Sequence, residues 1–317
     1  MAKSAASYRN QAKALWKTFS KIQRVLGVRD GELAEMLCLS IKDFTRLRHE
    51  QRELSTSKIF SLADILHVSV ENIWKDEIDY RALVESFHGN QAHIPERYDH
   101  AAFSKRRTAV TLVGFSEAAW GTTFANLTLR HFQIHPAALF RPDKMINIHF
   151  LTDFCAYLKR QGVAQNRFYE MGRFSVASNR GSALDQAIQK EKNARGVYER
   201  VFEELVNVYY DKNWNYGIRQ LSNDHAVASI EPRQEVLAAL GAGNMGSHLL
   251  CLFKAGVTAS LLGYKGLTDA KVTHPKCRHK GDSECLYDID FSEANFIQER
   301  RLSGLRQQYP VKHRLLF

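Results

Sequence analysis

A chain of 317 residues, 44% hydrophobic and 25% charged, has enough apolar material for one or two buried cores and too much to remain disordered. No window is apolar enough to span a bilayer, and the amphipathic start "MAKSAASYRNQAKALWKTF" lacks the apolar segment of a secretory signal, so the chain is read as cytoplasmic with no membrane partner. The net charge of +10 invites an anionic partner, and five cysteines at irregular spacing point to reduced thiols or metal ligands rather than a disulfide framework.

From about Ser7 to Ile78 the apolar residues recur with helical period, interrupted at "GVRDG", "CLS", "QRELST" and "HVS", which predicts five short helices. Leu33, Ala34 and Leu37, then Phe44 and Leu47, then Ile59, Leu62, Ala63 and Leu66, then Ile73 give each helix one stripe facing a shared core. Ser40 is expected to cap the third helix, Ser57 or Thr56 the fourth, and Ser69 the fifth.

The order L-A-x-x-L-x-x-S, a short polar helix, then L-A-x-x-L-x-V-S resembles the Cro/repressor type of helix-turn-helix over about residues 18–76. The resemblance implies that the helix opening near Ser40 is the recognition helix, with Lys42, Asp43 and Arg46 toward base edges and Ser40, Arg48 and Arg52 toward phosphates. It implies double-stranded DNA as partner, bound by a homodimer on paired half-sites. Residues 1–58 carry a surplus of six positive charges, in keeping with this; the alternative is a helical bundle that binds protein. One departure stands out: the family usually has Gly in the turn before the recognition helix, and this chain has Cys38.

These features divide the chain into a helix-turn-helix domain at 1–80, a linker at 81–104 with "HGNQAHIPERYDH" at its centre, a second domain at 105–292 and a basic tail at 293–317. In the second domain "TAVTLVGF" (108–115) reads as a strand. Residues 145–162 read as a helix ended by Gly162, and 182–210 as one or two more helices. Scattered positive residues such as Arg106, Arg107 and Arg130 either extend a DNA-binding face or are solvated surface. Trp120, Trp214, Tyr209, Tyr210 and Tyr216 either line a ligand cavity or belong to the core.

Toward the C-terminus Cys251, His274, Cys277 and Cys285 spell C-x22-H-x2-C-x7-C, four residue types that suit a tetrahedral zinc ion. Pro275 and Gly281 bend "HPKCRHKGDSEC" so that its ligands can converge, and His279 is a possible replacement for His274. Cys251, a glycine-spaced helix through Gly256 and Gly263, the H-x-x-C element, Gly281-Asp282, Cys285 and "LYDIDF" together resemble the end of the 4-vinyl reductase domain, a zinc-containing small-molecule sensor module. The likeness runs over about residues 230–291 and is faint back to about 105. In that family's phenol sensors the ligands are three Cys and a Glu; the Glu position here is His274. Where those sensors carry a pocket Trp this chain has Ile230, which speaks against phenol and leaves a small hydrophobic or aromatic ligand.

Gly241, Gly243 and Gly246 in "LGAGNMGSHLL" match G-x-G-x-x-G, but a dinucleotide fingerprint needs a strand before it and an acidic residue about 20 positions on. "PRQEVLAAL" reads as helix, and Leu261 and Leu262 stand where the acid belongs, so the glycines are expected to link two helices. No Walker sequence or nucleophile-base pairing stands out. The expected fold is α+β: an all-α helix-turn-helix domain followed by a mixed α/β sensor of 4-vinyl reductase type. The resulting expectation is a non-enzymatic transcription regulator in which a ligand alters dimer geometry or DNA affinity. A 4-vinyl reductase-related enzyme, or a protein-interaction adaptor whose helix-turn-helix does not bind DNA, is the alternative.

Overall fold

The computed structural model describes residues 2–294 except 88, 90–92 and 140, so the expected basic tail lies outside the described residues beyond 294. The fold is α+β and separates into two units, Met1–Glu96 with Asn126–Ala138, and Arg97–Ala125 with Leu139–Phe317.

The first unit is helical: α1 (Ala2–Leu26), α2 (Asp30–Met36), α3 (Ile41–His49), α4 (Thr56–Leu66), α5 (Val70–Lys75) and α6 (Tyr80–Phe87). The first helix runs 25 residues and is not short. Trp16, Phe19, Ile22, Leu33, Leu37, Phe44, Ile59, Leu62, Leu66 and Ile73 form one core, and the Trp16 indole N–H donates to the Arg52 carbonyl at 2.9 Å. Ser40 and Ser69 cap α3 and α5 by accepting from the Asp43 and Asn72 amides. The fourth helix departs from expectation: Ser55 is its N-cap residue, with Thr56 and Ser57 already helical.

The expected linker also departs. Its first residues belong to α6, whose Ala82 and Leu83 are buried because the 3.6-residue period continues through "YRALVESF". The segment 126–138, expected in the second domain, packs instead with the first unit. Its His131 carbonyl accepts from the Asn72 side chain at 2.9 Å, and the Gln133 side chain accepts from the Asp79 amide at 2.7 Å and donates to the Glu77 carbonyl. Arg130 pairs with Asp64.

The second unit continues with α7 (Glu96–Asp99), at whose first residue the units part, then β1 (Ser104–Lys105), α8 (Arg106–Trp120), the first turn of α9 (Thr122–His131), whose residues from Asn126 on belong to the first unit, then β2 (Met145–Ile146) and α10 (Ile148–Arg160). Next come α11 (Asn166–Arg173), α12 (Ser175–Asn179), α13 (Ala183–Gln189), α14 (Ala194–Arg200) and α15 (Val206–Tyr209). A π-helical turn at Val201–Leu205 joins the last two. The remaining elements are β3 (Trp214–Leu221), β4 (His225–Pro232), α16 (Gln234–Leu240), α17 (His248–Ser260), β5 (Lys271–Lys276) and β6 (Cys285–Asp290). Strands β3-β4-β6-β5 form an antiparallel sheet, and β1 pairs with β2.

The strand expected at 108–115 is a correction: these residues lie within α8. Thr108, Ala109, Thr111, Leu112, Phe115 and Ser116 are buried, which is a helical stripe, so periodicity overrides the β-branched composition. Arg106 and Arg107 are buried rather than solvated; Arg107 donates to the Asn179 side chain at 2.8 Å and to Asp143 at 2.5 Å.

Helices α11 and α17 meet at a glycine pair. A Cβ on Gly256 would stand 1.9 Å from the Tyr169 carbonyl oxygen, and one on Gly172 1.9 Å from the Phe253 carbonyl oxygen, so only glycine permits this approach. The G-x-G-x-x-G stretch follows helix α16; Gly241 caps it in the left-handed region at φ +60°, and Ser247 then caps α17.

Candidate metal centre and adjoining cavity

Three elements converge on the four sequence-predicted ligands. Cys251 lies in the first turn of α17, His274 on β5, Cys277 just after β5, and Cys285 opens β6. Their donor atoms all lie within 4.8 Å of one another, and the Cys251 and Cys285 sulfurs are 3.8 Å apart. Zinc–sulfur bonds of about 2.3 Å in a tetrahedron place two sulfurs about 3.8 Å apart, so the spacing fits that geometry.

The hairpin is bent to achieve this. Register between β5 and β6 shifts between Thr273 and Lys276, a bulge that contains His274 and Pro275, and a bulge re-aims the side chain it carries. The His274 ring stacks on Tyr287 at 4.5 Å, and the Tyr287 hydroxyl donates to the Cys251 carbonyl at 3.2 Å. Beyond Cys277 the chain turns sharply: the Asp282 carboxylate accepts from the Cys277 amide at 2.7 Å, and Gly281 has φ +103°.

Both ring nitrogens of His274 are buried without a hydrogen-bond partner. Such orphans are costly, and a metal bond removes one of them. The hydrogen bond between the two sulfurs holds the Cys285 thiol below its ordinary value and pushes that of Cys251 up. His279, the possible replacement, lines a small cleft beside the cluster and is not among the four converging donors. The residues present therefore fit a metal ion.

Next to this centre lies a cavity of about 50 Å³. Its wall is mainly apolar, with Leu151, Val201, Phe202, Phe253 and Leu261 among its residues, and Ile230 and Leu250 border both the cavity and the cleft at the cluster. The π-helical turn contributes Val201 and Phe202. The polar residues include Asp211, Tyr216 and Lys254. The Tyr216 hydroxyl donates to Asp211 Oδ2 at 2.9 Å and accepts from Lys254 Nζ at 3.4 Å, while Nζ stands 3.6 Å from the Trp214 ring centroid. Desolvation lowers the Lys254 pKa, with Asp211 and the neighbouring cysteines opposing.

Of the residues expected at a ligand site, Tyr216 and Ile230 line the cavity and Trp214 lines the cleft. Trp120 is a correction: it lies at the end of α8 against Phe115 and Phe124, away from both. Lys254, Asp211 and His248, whose Nδ1 is 3.5 Å from the Cys277 sulfur, were not singled out from sequence. A signal existed for two of them. His248 and Lys254 stand three residues either side of Cys251, the spacing that puts side chains on one helical face.

In the first unit α3 places Lys42 and Arg46 on an exposed face with Ile41, Thr45 and His49. The Asp43 carboxylate accepts from the Ser40 hydroxyl and pairs with Arg46, both at 2.7 Å. Arg48 pairs with Asp30 at 2.7 Å and Arg52 with Glu50 at 2.6 Å. Cys38 adopts the left-handed conformation at φ +49° and donates its amide to the Glu35 carbonyl, so the α2–α3 turn forms with a non-glycine residue at that position. Among the described residues, no helix is long and apolar enough to cross a membrane.

Comparison with protein-family models, curated proteins and solved structures gives no match to this chain.

Proposed function

We propose that the chain is a transcription regulator of double-stranded DNA, with the first unit reading DNA through α3 and the second sensing a small molecule beside a structural zinc ion. The observation that carries the DNA reading is the form of α3. Ser40 caps it, the fully buried Phe44 anchors it, and Lys42, Thr45, Arg46 and His49 are exposed on the opposite face. Lys42 and Arg46 are the base-edge candidates. The Arg46–Asp43 pair is solvent-exposed and cheap to open. Arg48 and Arg52 are engaged by carboxylates of their own unit, which favours supporting roles for them and is the one observation on the side of a protein-binding adaptor.

Cys251, His274, Cys277 and Cys285 would hold zinc, which soft thiolates and imidazole favour over hard cations. When bound, zinc supplies a cross-link between α17 and the β5–β6 hairpin, and four protein donors leave no position for a substrate. We read the centre as structural and the chain as non-enzymatic on that donor set. The cavity accommodates about three waters, well under the roughly 150 Å³ that holds benzene, so an aromatic ligand requires it to widen. Ligand binding would favour one arrangement of a homodimer and so alter the spacing of its recognition helices on paired half-sites.

The test selects genomic fragments with purified zinc-loaded protein and follows binding by fluorescence anisotropy across a salt series. Wild type is expected to bind with affinity that falls steeply with salt. Arg46→Ala is expected to cost about 1–3 kcal/mol and relax the preferred sequence. A folded, zinc-loaded protein that selects no fragment at low salt overturns the reading in favour of the adaptor.

A further inference from the structure

We propose that Lys254 captures a short-chain aldehyde as an imine inside the cavity of the second unit. The inference rests on the reading of that unit as a small-molecule sensor and names the ligand's chemistry.

Four observations carry it. Lys254 is half-buried and borders a mainly apolar cavity, and no carboxylate of the described residues lies within ion-pair distance of its Nζ. Its Nζ rests 3.6 Å from the Trp214 ring centroid, a contact that positions the group at the cavity wall without an ion pair. Tyr216 and Asp211 form a proton path from it, with steps of 3.4 and 2.9 Å. The volume of about 50 Å³ admits a molecule of two or three carbons. Desolvation adds to the amine's availability as a nucleophile.

Charge selects the carbonyl over a carboxylic acid. Asp211 already places one carboxylate at the cavity wall, and an acid would bring a second into an apolar space, whereas an aldehyde brings none. The Lys254 ammonium passes a proton through the Tyr216 hydroxyl to Asp211. The freed amine then attacks the carbonyl carbon, forming the C–N bond as the C=O π pair moves onto oxygen, and one nitrogen proton passes to that oxygen to give the neutral carbinolamine. The carbinolamine hydroxyl recovers the proton and leaves as water, while the nitrogen lone pair completes the C=N bond. Aldehyde plus ammonium thus gives iminium plus water, with the single positive charge of the lysine retained and no oxidant or reductant required.

The experiment treats the full zinc-loaded chain with acetaldehyde and cyanoborohydride and locates the N-ethyl group by peptide mass. Label is expected at Lys254 at concentrations that leave the exposed Lys212 and Lys276 unmodified. It is expected to be lost in Lys254→Arg, which keeps the charge but forms no imine, and slowed in Tyr216→Phe. Circular dichroism and zinc content check that both variants fold. Label confined to exposed lysines overturns the proposal. If acetaldehyde then still raises the Tm of wild type and Lys254→Arg equally, capture fails while the sensor cavity stands. If acetaldehyde, propanol and toluene all leave Tm unchanged, the sensor reading fails with it.

Discussion

His67 and His135 meet edge to face with ring centroids 4.9 Å apart, and burial holds both below the ordinary histidine value of 6.5. Arg130 adds to the depression at both, His67 adds to it at His135, and Asp64 opposes it at His67. In acid the unfolded chain takes up protons before the folded one does. Stability from this pair is therefore complete above pH 6.5 and is lost as pH falls through the depressed folded values. His67→Asn keeps a residue tolerant of the left-handed conformation at φ +52° and removes one titrating ring. Thermal melts between about pH 7 and 5 are expected to show a shallower acid decline for this variant than for wild type. Cys38 in the α2–α3 turn sits in the same left-handed region, which explains how a non-glycine residue occupies the turn at the cost of local strain.

The close crossing of α11 and α17 offers the most direct test among the elements. Gly256→Ala pushes a methyl group into the Tyr169 carbonyl, and because the obstacle is backbone it cannot swing aside. The expected cost is about 3 kcal/mol or more, read by denaturant unfolding together with loss of bound zinc, since α17 also carries Cys251. Local signals were legible in the sequence. Ser40 and Ser69 act within three residues of themselves, and the four breaks read in the first unit fall between the five helices that precede α6. The Cys/His cluster was legible because its residue types are rare and its tight part spans one hairpin. Thr108–Phe115 was misread because β-branched content was weighed above the helical stripe that buries it. The spacing from Cys251 places Lys254 on the ligand-bearing face of α17, but its partnership with Tyr216 depends on what β3 and α17 bring together, which composition does not encode.

Across the second unit, a metal held by the four Cys/His residues would tie α17 to a hairpin that otherwise meets it through packing and the Tyr287–Cys251 hydrogen bond. Chelating the zinc-loaded protein is expected to lower its unfolding free energy by at least about 3 kcal/mol, with Zn²⁺ restoring it and Mg²⁺ not. Denaturation followed by circular dichroism, with and without chelator, checks this; an unchanged midpoint counts against a structural role. The domain boundary was the least legible feature. Residues 126–138 join the first unit through backbone groups, the His131 carbonyl and the Asp79 amide among them, and such partnerships leave no mark on side-chain pattern.

That return of the chain has a practical bearing on modularity. The polypeptide passes between the units after Glu96, after Ala125 and after Ala138, so the helical unit is not a cassette that can be cut out at one point. A fragment ending at Glu96 would strip the Asn72 side chain, the Asp79 amide and Asp64 of the groups that satisfy them. Such a truncation is expected to melt below the same helices in the intact chain, as a thermal scan of both would show. Weak DNA binding by that fragment would report damage to the excised piece rather than the character of α3.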